Sequence, residues 1–127
     1  MEFMLEIILP ATPQRIYEGW LDSGAHTRMT GGEAVISNME GDNFTAWDGY
    51  IWGTNLELRP YDFIKQSWRT SEFEPEQEDS TIEITLEALA EGTLMKLYHY
   101  NLTQKDHAYK QGWEDHYFTP MLAYFTS

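Results

Sequence analysis

The sequence predicts an α+β fold, a curved antiparallel sheet of about six to seven strands wrapped around a long C-terminal helix, with one or two short helices after the first strand. Three observations predict it. From Glu33 to Tyr100 apolar residues recur mostly at every second position, the signature of strands with one buried face. Short turn signals, Asp48-Gly49 and Glu91-Gly92 among them, separate these runs and make the strands successive hairpin partners. From Thr103 to Phe125 the spacing changes to threes and fours, which only a helix satisfies.

The first strand comes from Phe3, Leu5, Ile7 and Leu9, alternating with Met4, Glu6 and Ile8. Thr12 then caps a helix whose first position is Pro13, where the missing N–H costs nothing. Ile16 and Trp20 form its inner face, Gly24 is its expected end, and Ala25 to Met29 adds a further short turn before Gly31-Gly32. Strands are expected at Ala34–Asn38 and Phe44–Trp47. The next has Trp52, Thr54, Leu56 and Leu58 on one face and Asn55, Glu57 and Arg59 on the other. Gly53 inside it signals a bulge or a close backbone approach. Ile64, Gln66 and Trp68 then face inward, followed by an acidic solvated loop at Glu72–Asp79. Ile82, Ile84 and Leu86, and then Thr93, Met95, Leu97 and His99, supply the inner faces of two further strands.

The last helix opens with Thr103 and Asp106 in capping-box spacing. Tyr109, Trp113, Tyr117, Met121 and Tyr124 make one apolar stripe, widened by Phe118, Leu122 and Phe125. At roughly 25 cal/mol per Å² of apolar surface, burying such a stripe is worth several kcal/mol, so the sheet must cover it. Pro120 removes one rung of the helix and predicts a kink, and a bent helix on a curved sheet leaves room for a small molecule.

Composition narrows the function classes. The 127 residues fit one domain, 42% are hydrophobic and 15% aromatic, and the net charge is -13. A surface so acidic repels phosphate, and no basic stripe exists, so nucleic acid and anionic membranes are disfavoured partners. The absence of cysteine removes disulfides and thiolate-bound zinc. No signal peptide or membrane span is read, and the expectation is a soluble cytoplasmic protein. Phosphate loops, dinucleotide fingerprints and nucleophile elbows are missing, so no cofactor is expected. His107 and His116 are nine residues apart and fall on opposite sides of a regular helix, which gives no metal motif.

Several side chains are candidates for the wall of a ligand cavity: Trp20, Trp52, Gln66, Trp68, Leu86, His99, Trp113 and Tyr117. Such pockets are mostly apolar with a few convergent polar groups. Trp68 and Trp113 lead, because a strand centre and the gripping helix oppose each other. Buried indole N–H groups need an acceptor, from Gln66 or a ligand. His99 is either a satisfied structural histidine, partnered by Tyr117 or Gln66, or a pocket base of lowered pKa. No partner at catalytic distance can be named for it, so no catalytic residue is assigned.

Together the residues carry a family likeness. Trp47-Asp48-Gly49-Tyr50-Ile51-Trp52-Gly53, then Glu57-Leu58-Arg59-Pro60, Ile64 and Trp68-Arg69, lead into Gly92-Thr93, Leu97, His99, Gly112-Trp113 and Tyr117-Phe118. In that order they resemble the activator of heat-shock-protein-90 ATPase homologue family, of the START-like (SRPBCC) superfamily with the helix-grip fold. The likeness runs from about Ala11 to Phe125, with Leu102-Thr103 where family members often carry Val-Pro. It is to the C-terminal half of the eukaryotic co-chaperones, whose separate N-terminal domain makes much of the chaperone contact. The resemblance implies three functions, taken in order. The first is non-enzymatic binding of a small hydrophobic molecule. The second is co-chaperone-like binding and stimulation of a heat-shock-protein-90-type ATPase. The third is a cyclase- or hydratase-like reaction using His99.

Overall fold

A computed structural model describes all residues, Met1–Ser127. The alternating segments fold into β1 (Phe3–Leu9), β2 (Asn43–Ala46), β3 (Ile51–Arg59), β4 (Phe63–Thr70), β5 (Ser80–Leu89) and β6 (Gly92–Tyr100). They form one six-stranded antiparallel sheet in the order β1-β6-β5-β4-β3-β2. From β2 to β6 the chain is a meander, and β1 closes the far side by pairing Leu5 with Leu97 and Ile7 with Met95. Ile64, Ile82, Ile84, Met95 and Leu97 are almost completely buried on the inner face.

Two short helices precede the meander. In α1 (Pro13–Trp20) the Thr12 side chain accepts from the Arg15 N–H at 3.2 Å. The helix ends at Trp20, before the expected Gly24, because Asp22 starts a new one. Its carboxylate accepts from the Ala25 N–H at 2.9 Å and caps α2 (Ser23–Thr30), which is longer than the single turn expected. Gly24 lies inside α2, and Gly31, at φ 91°, terminates it in the left-handed conformation that glycine adopts freely. Of the strand expected at residues 34–38, only a single bridge forms, Val35 to Thr45.

The inner and outer faces of β3 are the reverse of the expectation. Trp52 and Leu56 point outward, 38% and 45% exposed, while Ile51 and Asn55 are buried. Alternation misleads here because the inward residue at the strand centre is polar. The Asn55 amide is held inside by Gln66 at 2.9 Å and by the carbonyls of Ser37 and Met39 at 2.9 and 3.1 Å. A register irregularity between Asn55 and Glu57 then shifts the phase of the strand's end. Gly53 is the close approach its position suggested, since a Cβ there would run into the Ser67 carbonyl.

The C-terminal segment opens with the capping box: Asp106 Oδ2 accepts from the Thr103 N–H at 2.8 Å and from its hydroxyl at 3.0 Å. A 3₁₀ turn leads into α3 (Ala108–Trp113), a π-helical stretch (Glu114–Phe118) and α4 (Thr119–Thr126). The irregularity expected at Pro120 is a widened turn just before it, in which the Thr119 N–H reaches back to the Glu114 carbonyl. The extra residue in that turn rotates α4 relative to α3. Met121 and Phe125 are buried, whereas Leu122 is 42% exposed.

The acidic segment 72–79 is pinned to the body. Arg69 donates to the carbonyls of Gln77 and Glu74 and to Asp79 at 2.7 to 2.8 Å, and Phe73 is buried against Trp68 and Tyr109.

Candidate functional site

Where the helix meets the middle of the sheet the side chains are buried in one continuous core. Several candidate residues are consumed by that packing. His99 is fully buried on β6, with both ring nitrogens engaged. Trp113 Nε1 donates to Nδ1 at 3.0 Å, which leaves the proton on Nε2 to donate to Ser80 Oγ at 2.8 Å. The Ser80 hydroxyl donates its own proton to the Trp68 carbonyl at 2.8 Å. Burial pulls the His99 pKa down to about 3, against a small opposing effect of the Asp106 charge. A neutral, doubly bonded imidazole sealed from solvent has no free nitrogen with which to act as a base. Its partners are Ser80 and Trp113, in place of the expected Tyr117 or Gln66.

Gln66 instead accepts from Trp20 Nε1 at 3.2 Å and donates to Asn55, completing a buried polar chain. Leu86 packs in the core. His26 joins the same interior. Its Nδ1–H donates to the Trp20 carbonyl at 2.8 Å, and Nε2 accepts from the Tyr117 hydroxyl at 3.2 Å. Burial lowers the His26 pKa and raises that of Tyr117.

At one end of the seam the helix and sheet separate. A cleft of about 420 Å³, open to solvent, lies between α3 with its π turn, the β2–β3 loop and the ends of β3 and β4. Trp68, Trp113 and Tyr117 of the sequence candidates are on its wall. Trp20, Gln66 and His99 are behind that wall in packed interior, Leu86 is buried toward the far end of β5 beside Asp62, and Trp52 is on the outer face of the sheet. Trp47, Tyr50, Ile51, Glu72, Ala108, Tyr109, Gly112 and His116 complete the cleft. The spacing of Tyr109, Gly112, Trp113, His116 and Tyr117 is the signal that would have found the helix side.

Two features of the wall carry a local conformational cost. Gly112 sits in a helix, where glycine costs about 0.5–1 kcal/mol relative to alanine, yet a Cβ there would meet nothing. Trp47 holds a left-handed backbone at φ 51°, a conformation costing on the order of 1–3 kcal/mol for a residue with a side chain. Its indole lies where a Gly32 Cβ would be, edge-on to His116 at 5.6 Å, and its Nε1–H is buried without an acceptor. At the mouth the Tyr50 hydroxyl donates to Glu72 Oε2 at 2.9 Å and the Tyr109 hydroxyl meets Thr70 Oγ1 at 2.6 Å. Burial, helped by the Glu72 acceptor, raises the Tyr50 pKa, and burial raises that of Tyr109. A second hollow of about 680 Å³ between α1, α2 and the Pro60-Tyr61 turn has a mixed polar lining.

A meandering antiparallel sheet that grips a C-terminal helix defines the START-like, helix-grip class. Within it the family described as Activator of Hsp90 ATPase homolog 1-like protein matches residues 10–126, and the chain belongs to that family. Solved structures agree in fold. An HSP90 activator from Plasmodium falciparum superposes with TM-score 0.85 at 22% identity, over 94% of this chain and 91% of that one. The Aha1 dimer from Colwellia psychrerythraea gives 0.79 at 15%, over 98% and 93%. CalU16 from Micromonospora echinospora gives 0.79 at 24%, over 99% and 76%. No curated protein matches the chain in sequence. No helix is long and apolar enough to cross a membrane.

Proposed function

We propose that this protein is a small-molecule binding module that takes a hydrophobic ligand into the cleft between its C-terminal helix and the β3–β4 end of the sheet. The observation that carries this reading is the cleft itself, about 420 Å³ with a largely aromatic wall, within the range of small-molecule sites. The space left by Gly112 supports it. Binding is favoured over turnover because His99, the residue a cyclase- or hydratase-like reaction would use, is walled off with both nitrogens occupied. This reading treats residues 1–127 as one START-like domain acting in the cytoplasm; a thermal melt with two separate transitions would contradict the single domain.

Native mass spectrometry of freshly purified protein tests the proposal, with Nile red titration as a second arm. A mass increment lost on denaturation, or saturable dye binding at one site, is the expected result. Failure of both arms would refute a ligand site.

A second reading, binding and stimulation of a heat-shock-protein-90-type ATPase, is favoured by the family description and by the likeness to the Plasmodium falciparum HSP90 activator. With a net charge of -13, such a complex would meet a basic surface and weaken as salt rises. An unchanged ATPase rate of the chaperone at saturating protein would end this reading.

A further inference from the structure

We infer that the ligand of the cleft is a hydrophobic cation, an ammonium group carried on an apolar body. The inference rests on the cleft being a ligand site and adds the charge of its occupant. Trp47, Tyr50, Trp68, Tyr109, Trp113 and Tyr117 turn aromatic surface toward one space. Such surfaces attract organic cations through the negative potential of the ring face. The carboxylate on the lining is Glu72, exposed to solvent and held at the mouth by the Tyr50 hydroxyl at 2.9 Å. Neither lysine nor arginine lines the cleft, and His116, edge-on to Trp47, is its nitrogen base.

The surroundings have the same sign. A smaller neighbouring hollow shares Glu72, Ala108 and Tyr109 with the cleft and adds Glu74 and Asp106 around Lys105. Lys105 is engaged by Glu74 at 3.6 Å, and Arg69 by the backbone of the acidic segment and by Asp79. Over the whole chain the net charge of -13 raises the local concentration of cations and lowers that of anions. A neutral ligand would use the aromatic walls and leave the carboxylate idle. An anionic one would oppose it.

The test compares three probes of similar shape: benzyltrimethylammonium, its uncharged carbon isostere neopentylbenzene, and phenylmethanesulfonate. Trp47, Trp68 and Trp113 lie on the wall, so intrinsic tryptophan fluorescence reports occupancy. The cation is expected to bind about 10-fold more tightly than the isostere, and the sulfonate most weakly. Glu72→Gln is expected to narrow the preference for the cation, and Gly112→Phe, which places a ring in the cleft, to abolish binding of all three. Circular dichroism melts of both variants check that they fold.

Equal or tighter binding of the isostere or the sulfonate overturns the cation assignment while leaving the cleft as a ligand site. An unchanged preference in Glu72→Gln overturns it as well. Binding that survives in folded Gly112→Phe places the probe elsewhere and overturns it too. Failure of all three probes and of Nile red removes the ligand site itself.

Discussion

Trp113 Nε1 donates to His99 Nδ1 across 3.0 Å in the fully buried space between the grip helix and β6. An indole nitrogen can only donate, so the bond makes Nδ1 an acceptor and fixes the histidine as the neutral Nε2–H tautomer. The same pair ties the helix that forms one wall of the cleft to the strand two places from the other wall.

Burial of His99 makes stability sensitive to acid. His99 titrates near 3 in the fold and near 6.5 in an unfolded chain, so above pH 6.5 both states are neutral and nothing is lost. As pH falls below 6.5 the unfolded state takes up a proton that the folded state refuses, and stability declines down to about pH 3. By pH 5 the loss is about 2 kcal/mol, and His26, also lowered by burial, adds to it. Urea melts at pH 7.5 and 5 measure this. His99→Phe is expected to flatten the slope while costing about 1–3 kcal/mol at neutral pH, since the Trp113 N–H is left without an acceptor. An unaltered slope in that variant would show that His99 is not the group responsible.

Trp68 is both wall and core. It is 4% exposed and meets His99, Tyr109, Phe73 and Trp113 at ring-centre distances of 4.6 to 6.1 Å. Trp68→Ala is therefore expected to cost about 3–5 kcal/mol, read as a lower urea midpoint with a similar slope. A loss below about 1 kcal/mol would mean that the side chain mainly lines space.

Gly112→Ala is expected to move stability the other way. The position is helical and the new methyl meets no atom, so the variant should gain about 0.5–1 kcal/mol by thermal melt. Destabilisation would show that the helix needs glycine for its own geometry rather than for the cleft.

Gly32→Ala tests how Trp47 is seated. The added methyl overlaps the indole, so the ring must swing or the loop must shift, at a cost of about 1–3 kcal/mol. Near-ultraviolet circular dichroism should change in the tryptophan bands. An unchanged spectrum and midpoint would mean that the loop absorbs the methyl without moving the ring.

What could be read from the chain is what local period decides. Residues 3–9, 63–70, 80–89 and 92–100 show their inner faces directly, because a strand's side chains alternate whatever lies beyond it. Thr103 and Asp106 mark the start of the last helix for a similar reason, their bonds being made within four residues. The family likeness, too, lies in ordered local motifs.

Tertiary structure decided the rest. Trp52 faces outward because Asn55, hydrogen-bonded to Gln66 and to two distant carbonyls, sets the phase of β3, and a one-residue slip exchanges the faces of a strand. Trp47 reaches the cleft through a left-handed turn that Asp48-Gly49 signals only as a hairpin. Which histidine nitrogen finds Trp113, and where helix and sheet part, depend on residues far apart in sequence meeting in space. The residues themselves determined the gripped helix and its sheet; only their packing determined where the grip leaves a gap.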